Sequence, residues 1–463
     1  MQPIHDYTLI HKSMSSLPSV ASPTNPSPAF EATRDNGLLP DTPLEVIPPI
    51  EPGLKIPTIL GNGALFKFGV GGGDIAKVFD FFSDKVRQSP HDASSRIDLA
   101  LLHLFARREE EAYRVQAEAL EQQQFFRVVG TKGEETPVRR RVLALVAPGD
   151  FTNNAQIEFI LDGSDIGLDV LYLVPGKPLP AALPEHDVAF CAVNESTENL
   201  PILQRLSQLV RRWPRPVINV PEKIACLSRD GVASLLKGTP DICSPPVGRV
   251  GFANLRLVAS GKVSVESLLP GVALPVLIRP VGSHGGKNLE KIDSPKALAT
   301  YLKNFESHEG DFYVTAFMDY RGADGLFRKY RVVFFEGAPF LCHMALSEQW
   351  MIHYINVGMA EDASKRAEEA RAMETFNEDF ARRHQRAFAT LHERVGLDYF
   401  IIDCGELPDG RLLVFEADIA MVIHAMDSPA LFPYKQGQMA AVFAAFRAMV
   451  DRATLRPPGI QEK

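Results

Sequence analysis

Hydrophobic and polar positions divide the chain into stretches with no sustained period and stretches with a clear one. Residues 1–60, which include SSLPSVASPTNPSPAF and LLPDTPLEVIPPIEPG, are rich in Pro, Ser and Thr and carry no period, so they predict a largely irregular arm. In FKFGVGGGDIAKVFDFF a glycine-rich turn precedes an amphipathic helix, but Asp74 stands where a dinucleotide loop needs its last glycine. An acid there repels phosphate and caps a helix well, which predicts a structural turn. From 96 to 128 apolar residues recur at three- and four-residue steps, broken near 107–111, and predict a pair of helices. The pair resembles one tetratricopeptide-like unit without a second copy, so residues 61–135 read as a helical segment suited to partner binding or dimerisation.

The period changes over 136–245. VRRRVLALVAP, DVLYLV, DVAFCAV and PVINV read as buried strands separated by stretches that can hold helices, which predicts a small parallel α/β domain. EKIACLSRDGVASLLKG then predicts a helix. A strand-rich region follows SPPVGRV, with PVLIRP, DFYVTAFMDY and KYRVVFFEGAPFLCHMAL as strands. A long helix over 376–395 carries Phe376, Phe380, Phe388, Leu391 and Val395 on one stripe, a core-packing pattern.

FIIDCGEL and RLLVFEAD flank Pro-Asp-Gly and predict a hairpin. With Asp409 and Gly410 as the turn, Pro408 pairs with Arg411 and the count sets Asp403 opposite Glu416, with Asp418 on the same face. Like charges opposed across strands are unfavourable, so a cation is expected among them. Gly405 is expected to leave room above this face. In LIRPVGSHGGKNL a strand ends in Arg279 and Pro280, and residues 282–287 form a glycine loop whose N–H groups suit phosphate oxygens. In KYRVVFF, Lys329 and Arg331 start a strand, where a cation can stabilise a transferring phosphoryl group.

Bulk composition narrows the class. The 463 residues, 45 % hydrophobic and 23 % charged, fit a globular protein of two or three domains. A net charge of −8 argues against nucleic acid or an anionic membrane as the main partner, and Arg139 to Arg141 with Arg211, Arg212 and Arg215 read as solvated ends of elements. The five cysteines show no CxxC or zinc spacing, which fits a reducing compartment. With no signal-like start and no apolar run of about 18 residues, a cytoplasmic protein is expected.

Taken in order, these features resemble the ATP-grasp enzymes over roughly residues 140–450, and within them the carboxylate-amine ligases that include ribosomal-protein glutamate ligases and D-alanine:D-alanine ligases. The resemblance rests on the strand-end cation with its glycine loop, the hinge strand, the strand arginine, and the spacing of Asp403 to Glu416 followed by Asp418 where the family has E-x-N. It implies an α/β (α+β) ATP-grasp fold with a small subdomain over 246–318 and a large subdomain with the metal site over 319–455, preceded by the small α/β domain and the helical extension. It further implies that Arg279 grips ATP phosphates, that Ser283, His284, Gly285, Gly286 and Lys287 form the phosphate lid, and that Phe317 and Met318 read adenine with Asp319 near the ribose. Arg331 would contact phosphate or acyl phosphate, Lys329 the nucleotide, and Asp403, Glu416 and Asp418 would bind Mg²⁺.

Three positions depart from the family pattern. Ala316 stands where a polar side chain usually meets adenine, Gly231 stands where a nucleotide lysine is usual, leaving Arg229 as its substitute, and Asp418 replaces an amide. On the acceptor side lie His343, Trp350, His353 and Tyr354, and His424 follows the metal strand, so His353 and His424 are catalytic candidates beside Arg331. The implied function is Mg-dependent, ADP-forming joining of a carboxylate, activated as an acyl phosphate, to the amine of a small molecule or peptide. A small-molecule kinase and a non-catalytic nucleotide-binding protein remain as alternatives, and a homodimer is expected from the resemblance and the helical segment.

Overall fold

A computed structural model describes residues 45–130, 137–283, 285–308 and 310–459. The predicted arm over 1–60 lies mostly outside the described residues, as does His284 of the predicted phosphate lid.

Helices Gly61–Val70, Ile75–Gln88, Ala93–Phe105 and Glu109–Gln122 build the helical segment. Asp74 caps the second by accepting from Lys77 N at 3.2 Å, as its placement predicted, and Asp92 caps the third through Ser95 N at 3.2 Å. Arg107 breaks the pattern in the left-handed region at φ 56°. The helical pattern does not run to Val128, because Phe125–Val128 is a strand of the next sheet.

That sheet has six strands in the order Thr58–Ile59, Phe125–Val128, Ile166–Tyr172, Arg140–Val146, Val188–Cys191, Val217–Ile218. Four of its pairings are parallel, and the four strands expected over 136–245 all run the same way; Phe125–Val128 is antiparallel to Ile166–Tyr172 and parallel to Thr58–Ile59, so these two edge strands run against the other four. The two added edge strands went unread because Thr58–Ile59 lies in the stretch read as an arm and the apolar residues of Phe125–Val128 were counted into the preceding helical period. Between Tyr172 and Val188 no helix forms.

The predicted helix over 222–238 is two, Pro221–Ile224 and Arg229–Leu235, because Ser228 accepts from Gly231 N at 3.1 Å and restarts the turn. The long helix over 376–395 is likewise broken into Phe380–Arg383 and Gln385–Val395. Its stripe is core nonetheless, with Phe376, Phe380, Phe388, Leu391 and Val395 all buried.

Beyond residue 245 two sheets face the site. An antiparallel sheet of four strands, in the order Glu290–Ile292, Val276–Pro280, Asp311–Ala316, Val247–Gly251, has its own core around Ile278, Phe312 and Val314. A five-stranded sheet is ordered Ala338–Ser347, Phe327–Phe335, Tyr399–Glu406, Leu412–Asp418, Ile242–Cys243. Helix Lys435–Ala453 joins this sheet to the six-stranded one, since Phe446 lies 5.8 Å from Phe335 and 6.1 Å from Phe190 between ring centroids. No helix among the described residues is long and apolar enough to cross a membrane.

Candidate nucleotide and acyl-transfer site

The hairpin reaches the predicted pairing by an unexpected route. Leu407 N donates to Arg411 O at 3.0 Å, so Pro408, Asp409 and Gly410 form a three-residue loop, with Gly410 supplying φ 85°. Pairing therefore begins one residue out of the predicted step, at Glu406↔Leu412, and continues through Cys404↔Val414. A bulge at Phe415 restores the step, and Asp403 faces Glu416 as predicted. The open space expected at Gly405 is absent: a Cβ there would lie 3.0 Å from Tyr320 Cδ2 and 3.2 Å from Phe415 Cζ.

Register carries the row across the sheet. Arg331 faces Asp403 on one side and His343 on the other, so His343, Arg331, Asp403 and Glu416 line up over four strands on one face. Asp403 is fully buried, and Arg331 grips it through Nε to Oδ1 at 2.8 Å and Nη2 to Oδ2 at 3.0 Å. Lys329 Nζ adds a contact of 2.6 Å to Oδ2. Burial alone would push the Asp403 carboxyl up, but Arg331 and Lys329 outweigh it and hold it well below the carboxylate range. Arg229, on the first turn of its short helix, donates to Glu416 Oε2 at 2.6 Å and holds that group low against its burial. These are the cations that the opposed acids required.

Arg279 arrives from the four-stranded sheet. It is 7 % exposed, and its guanidinium donates to Ser283 Oγ at 2.8 Å and to the Ser283 carbonyl. Burial, with Arg229 adding like charge, pulls Arg279 down to about 10. The loop that follows has left-handed backbone at Gly282, Gly285, Gly286 and Asn288, and Lys287 is exposed. Across the seam, Phe317 N donates to Pro275 O at 3.2 Å, Lys291 Nζ lies 4.1 Å from the Phe317 ring centroid, and Met318 packs in the core cluster that Trp350 borders. Asp319 is ion-paired with Arg321.

Asp418 behaves differently from the other two acids. Its Oδ1 accepts from the N–H groups of Ala420 and Met421, the latter at 3.1 Å, and its Oδ2 accepts from Asn194 Nδ2 at 3.2 Å. It therefore caps the turn after its strand and ties the hairpin to the six-stranded sheet. No group of three or more His, Cys, Asp and Glu able to hold a metal ion occurs among the described residues. Asp403 and Glu416 face each other across a strand pair and are hard oxygen donors of the kind that suits Mg²⁺. An ion held between them would leave its remaining positions to water or phosphate oxygen.

Three histidines lie within the electrostatic reach of Arg331. His353 is exposed at its surface and His424 half-buried; desolvation holds both below the ordinary imidazole value, and Arg331 opposes the charged form of each. His343 is held well below that value by burial and by Arg331, and its Nδ1 has no hydrogen-bond partner among the described residues.

A buried network lies behind them. Lys435, 2 % exposed, contacts Asp427 at 3.1 Å, Glu369 at 3.4 Å and the Tyr354 hydroxyl, while Glu369 Oε2 accepts from Tyr354 at 2.8 Å and Tyr434 at 2.6 Å. Tyr320 OH donates to Trp350 O at 2.7 Å. Lys435, Glu369 and Asn194 were missed by sequence reasoning. A lysine at a helix start gives no sign of burial, and Asn194 shows its role only through its contact with Asp418.

No protein-family model matches the chain, and no curated protein matches it. Among solved structures the chain is similar to a D-alanine–D-alanine ligase from Bacillus anthracis complexed with ATP, with 11 % identity over 68 % of this chain and 98 % of that one, at a TM-score of 0.38. It is also similar to the VanG D-Ala:D-Ser ligase from Enterococcus faecalis, with 11 % identity over 66 % and 99 % of the two chains and a TM-score of 0.40. A RimK domain ATP-grasp protein from Sphaerobacter thermophilus is 15 % identical over 66 % and 98 %, at 0.36. These are proteins of the kind that the sequence resemblance named.

Proposed function

We propose that the protein is an ATP-dependent carboxylate-amine ligase. The observation that carries this reading is the set of four cations, Arg229, Arg279, Lys329 and Arg331, around the cross-strand pair Asp403 and Glu416. Four cations against two carboxylates leave a surplus of two positive charges, which suits a polyanionic phosphate chain and no neutral ligand.

In this reading the glycine loop after Arg279 covers the phosphates with backbone N–H groups, and Phe317 and Met318 bound the base. Arg331 and Lys329 neutralise the terminal phosphoryl group as a substrate carboxylate oxygen attacks its phosphorus and ADP leaves. The amine nitrogen then attacks the acyl carbon, phosphate departs and the nitrogen loses its proton, with His353 and His424 facing that step. Mg²⁺ held by Asp403 and Glu416 would supply further charge neutralisation on the phosphates. The protein's part is positioning and electrostatics, with no covalent nucleophile needed.

A panel of carboxylates and amines incubated with Mg-ATP, read for ADP, free phosphate and new amide by mass spectrometry, tests the reading. Amide with stoichiometric free phosphate supports it; a phosphorylated product without free phosphate points to a kinase. ADP release that Arg331→Ala and Glu416→Ala both leave untouched would remove every enzymatic version. A second reading, nucleotide binding without turnover, is favoured by one observation: both oxygens of Asp403 are already taken by protein cations.

A further inference from the structure

Asp403 and Glu416 are the natural pair for a divalent ion, yet neither stands free. Both oxygens of Asp403 are engaged, Oδ1 by Arg331 and Oδ2 by Arg331 and Lys329 together. Glu416 is engaged at Oε2 by Arg229. Among these contacts the Lys329 pair is the replaceable one. Arg331 is locked by its two-point grip, whereas an ammonium is a single point charge on a flexible stem. Lys329 contacts Asp403, and Asp403 faces Glu416 across the strand pair, so the ammonium lies against one carboxylate of the pair. Its side chain is 21 % exposed, whereas that of Asp403 is 1 % exposed, so Lys329 is the partner that reaches solvent.

We propose that the Lys329 ammonium is a resident cation occupying a divalent-ion position between Asp403 and Glu416, so that the hairpin binds a metal ion only together with phosphate oxygens that draw Lys329 away. This rests on the nucleotide reading given above. The charge balance gives the reason. Without phosphate the six groups carry the surplus of two positive charges, and a free divalent cation would add to it. When a triphosphate enters, Lys329 and Arg229 gain anionic partners better placed than the carboxylates, and the released carboxylate oxygens then face a site that favours added positive charge. Metal and nucleotide binding are therefore coupled by a swap of ion pairs, with Lys329 as the exchanged group.

Manganese binding read by electron paramagnetic resonance, without any turnover, tests the inference. Wild-type protein with Mn²⁺ alone is expected to leave the free-ion signal nearly intact, and to bind the ion when a non-hydrolysable ATP analogue is added. Lys329→Met is expected to bind Mn²⁺ without nucleotide about tenfold or more tightly than wild type, since one repelling charge is gone. Lys329→Gln is the second variant should the methionine not fold, and Asp403→Asn combined with either must abolish the gained site. The inference is overturned if wild type binds Mn²⁺ alone as tightly as Lys329→Met, or if the gain survives Asp403→Asn. A fluorescent ATP analogue titrated into the same samples reports separately. No nucleotide binding alongside a gained Mn²⁺ site would sink the proposed function and leave the role of Lys329 standing.

Discussion

Arg331 and Asp403 sit directly opposite on neighbouring antiparallel strands and join through two parallel hydrogen bonds of 2.8 and 3.0 Å. Because the carboxylate is fully buried, removing the guanidinium leaves a desolvated charge with Lys329 alone. Arg331→Ala is expected to cost about 3 kcal/mol of stability, measured by urea unfolding, and to abolish ADP formation. Arg331→Lys keeps the charge and loses the fork, so it should recover stability in part and activity little.

Arg229 joins Glu416 from a different element and bears on Arg279 electrostatically, so its loss should be felt in ligand binding more than in folding. Arg229→Met is expected to weaken binding of a fluorescent ATP analogue about tenfold and to flatten the dependence of that affinity on salt. Unchanged affinity would remove Arg229 from the phosphate site.

Asp98, buried, and Glu158, half-buried, sit at the start of the first helix and set a pH dependence of their own. Asp98 accepts from Leu60 N and Gly61 N and is pushed up by burial to about 6 from 3.8; Glu158 accepts from Gly63 N and is pushed up by burial to about 7 from 4.5. Both folded values exceed the unfolded ones, so the folded state holds protons that the unfolded state has lost. Stability is therefore greatest below about pH 4 as far as these two groups are concerned, and falls as pH rises toward 7. Melting curves of Glu158→Gln against wild type should converge at pH 5 and separate at pH 7.5, with the variant the more stable.

At Gly405 a methyl group would press on the rings of Tyr320 and Phe415 and on the Arg328 carbonyl at 3.2 Å. Tyr320 is buried and its hydroxyl is held by Trp350 O, so the ring has little freedom to withdraw. Gly405→Ala is expected to destabilise by about 1–3 kcal/mol in denaturant titrations.

Asp418→Asn separates capping from metal binding. Asn retains an acceptor for the N–H groups of Ala420 and Met421, but its amide would face the donor of Asn194. A loss of about 1 kcal/mol in stability with unchanged Mn²⁺ affinity in the nucleotide complex is expected, and a large loss of metal affinity would restore Asp418 to the ligand set.

The pairing of Asp403 with Glu416 was legible in the sequence through two one-residue errors that cancel, the longer loop at Pro408 and the bulge at Phe415. The strands of the two later sheets were legible because their apolar runs are long and bounded by turn residues. Helix breaks were not, since Ser228 as a cap and the interruption before Phe380 depend on side chains returning to the backbone and on packing between Phe376 and Phe380. The arginines read as solvated ends were only partly that: Arg141 is half-buried on Asp169. Lys435 and Glu369 were beyond reach, because a charge becomes buried only when partners distant in sequence meet it.

In the ligase reading proposed above, the network around Lys435 would bear on substrate choice. Trp350 is fastened through its carbonyl to Tyr320, and Tyr354 through its hydroxyl to Glu369 and Lys435. Met351, Ile352 and His353 thus hang as a three-residue bridge between two fixed posts. The reach of His353 is governed by the length of that bridge, so a lineage that exchanged these three side chains could change what is recognised there while both posts, and the phosphate centre beyond them, stayed where they are.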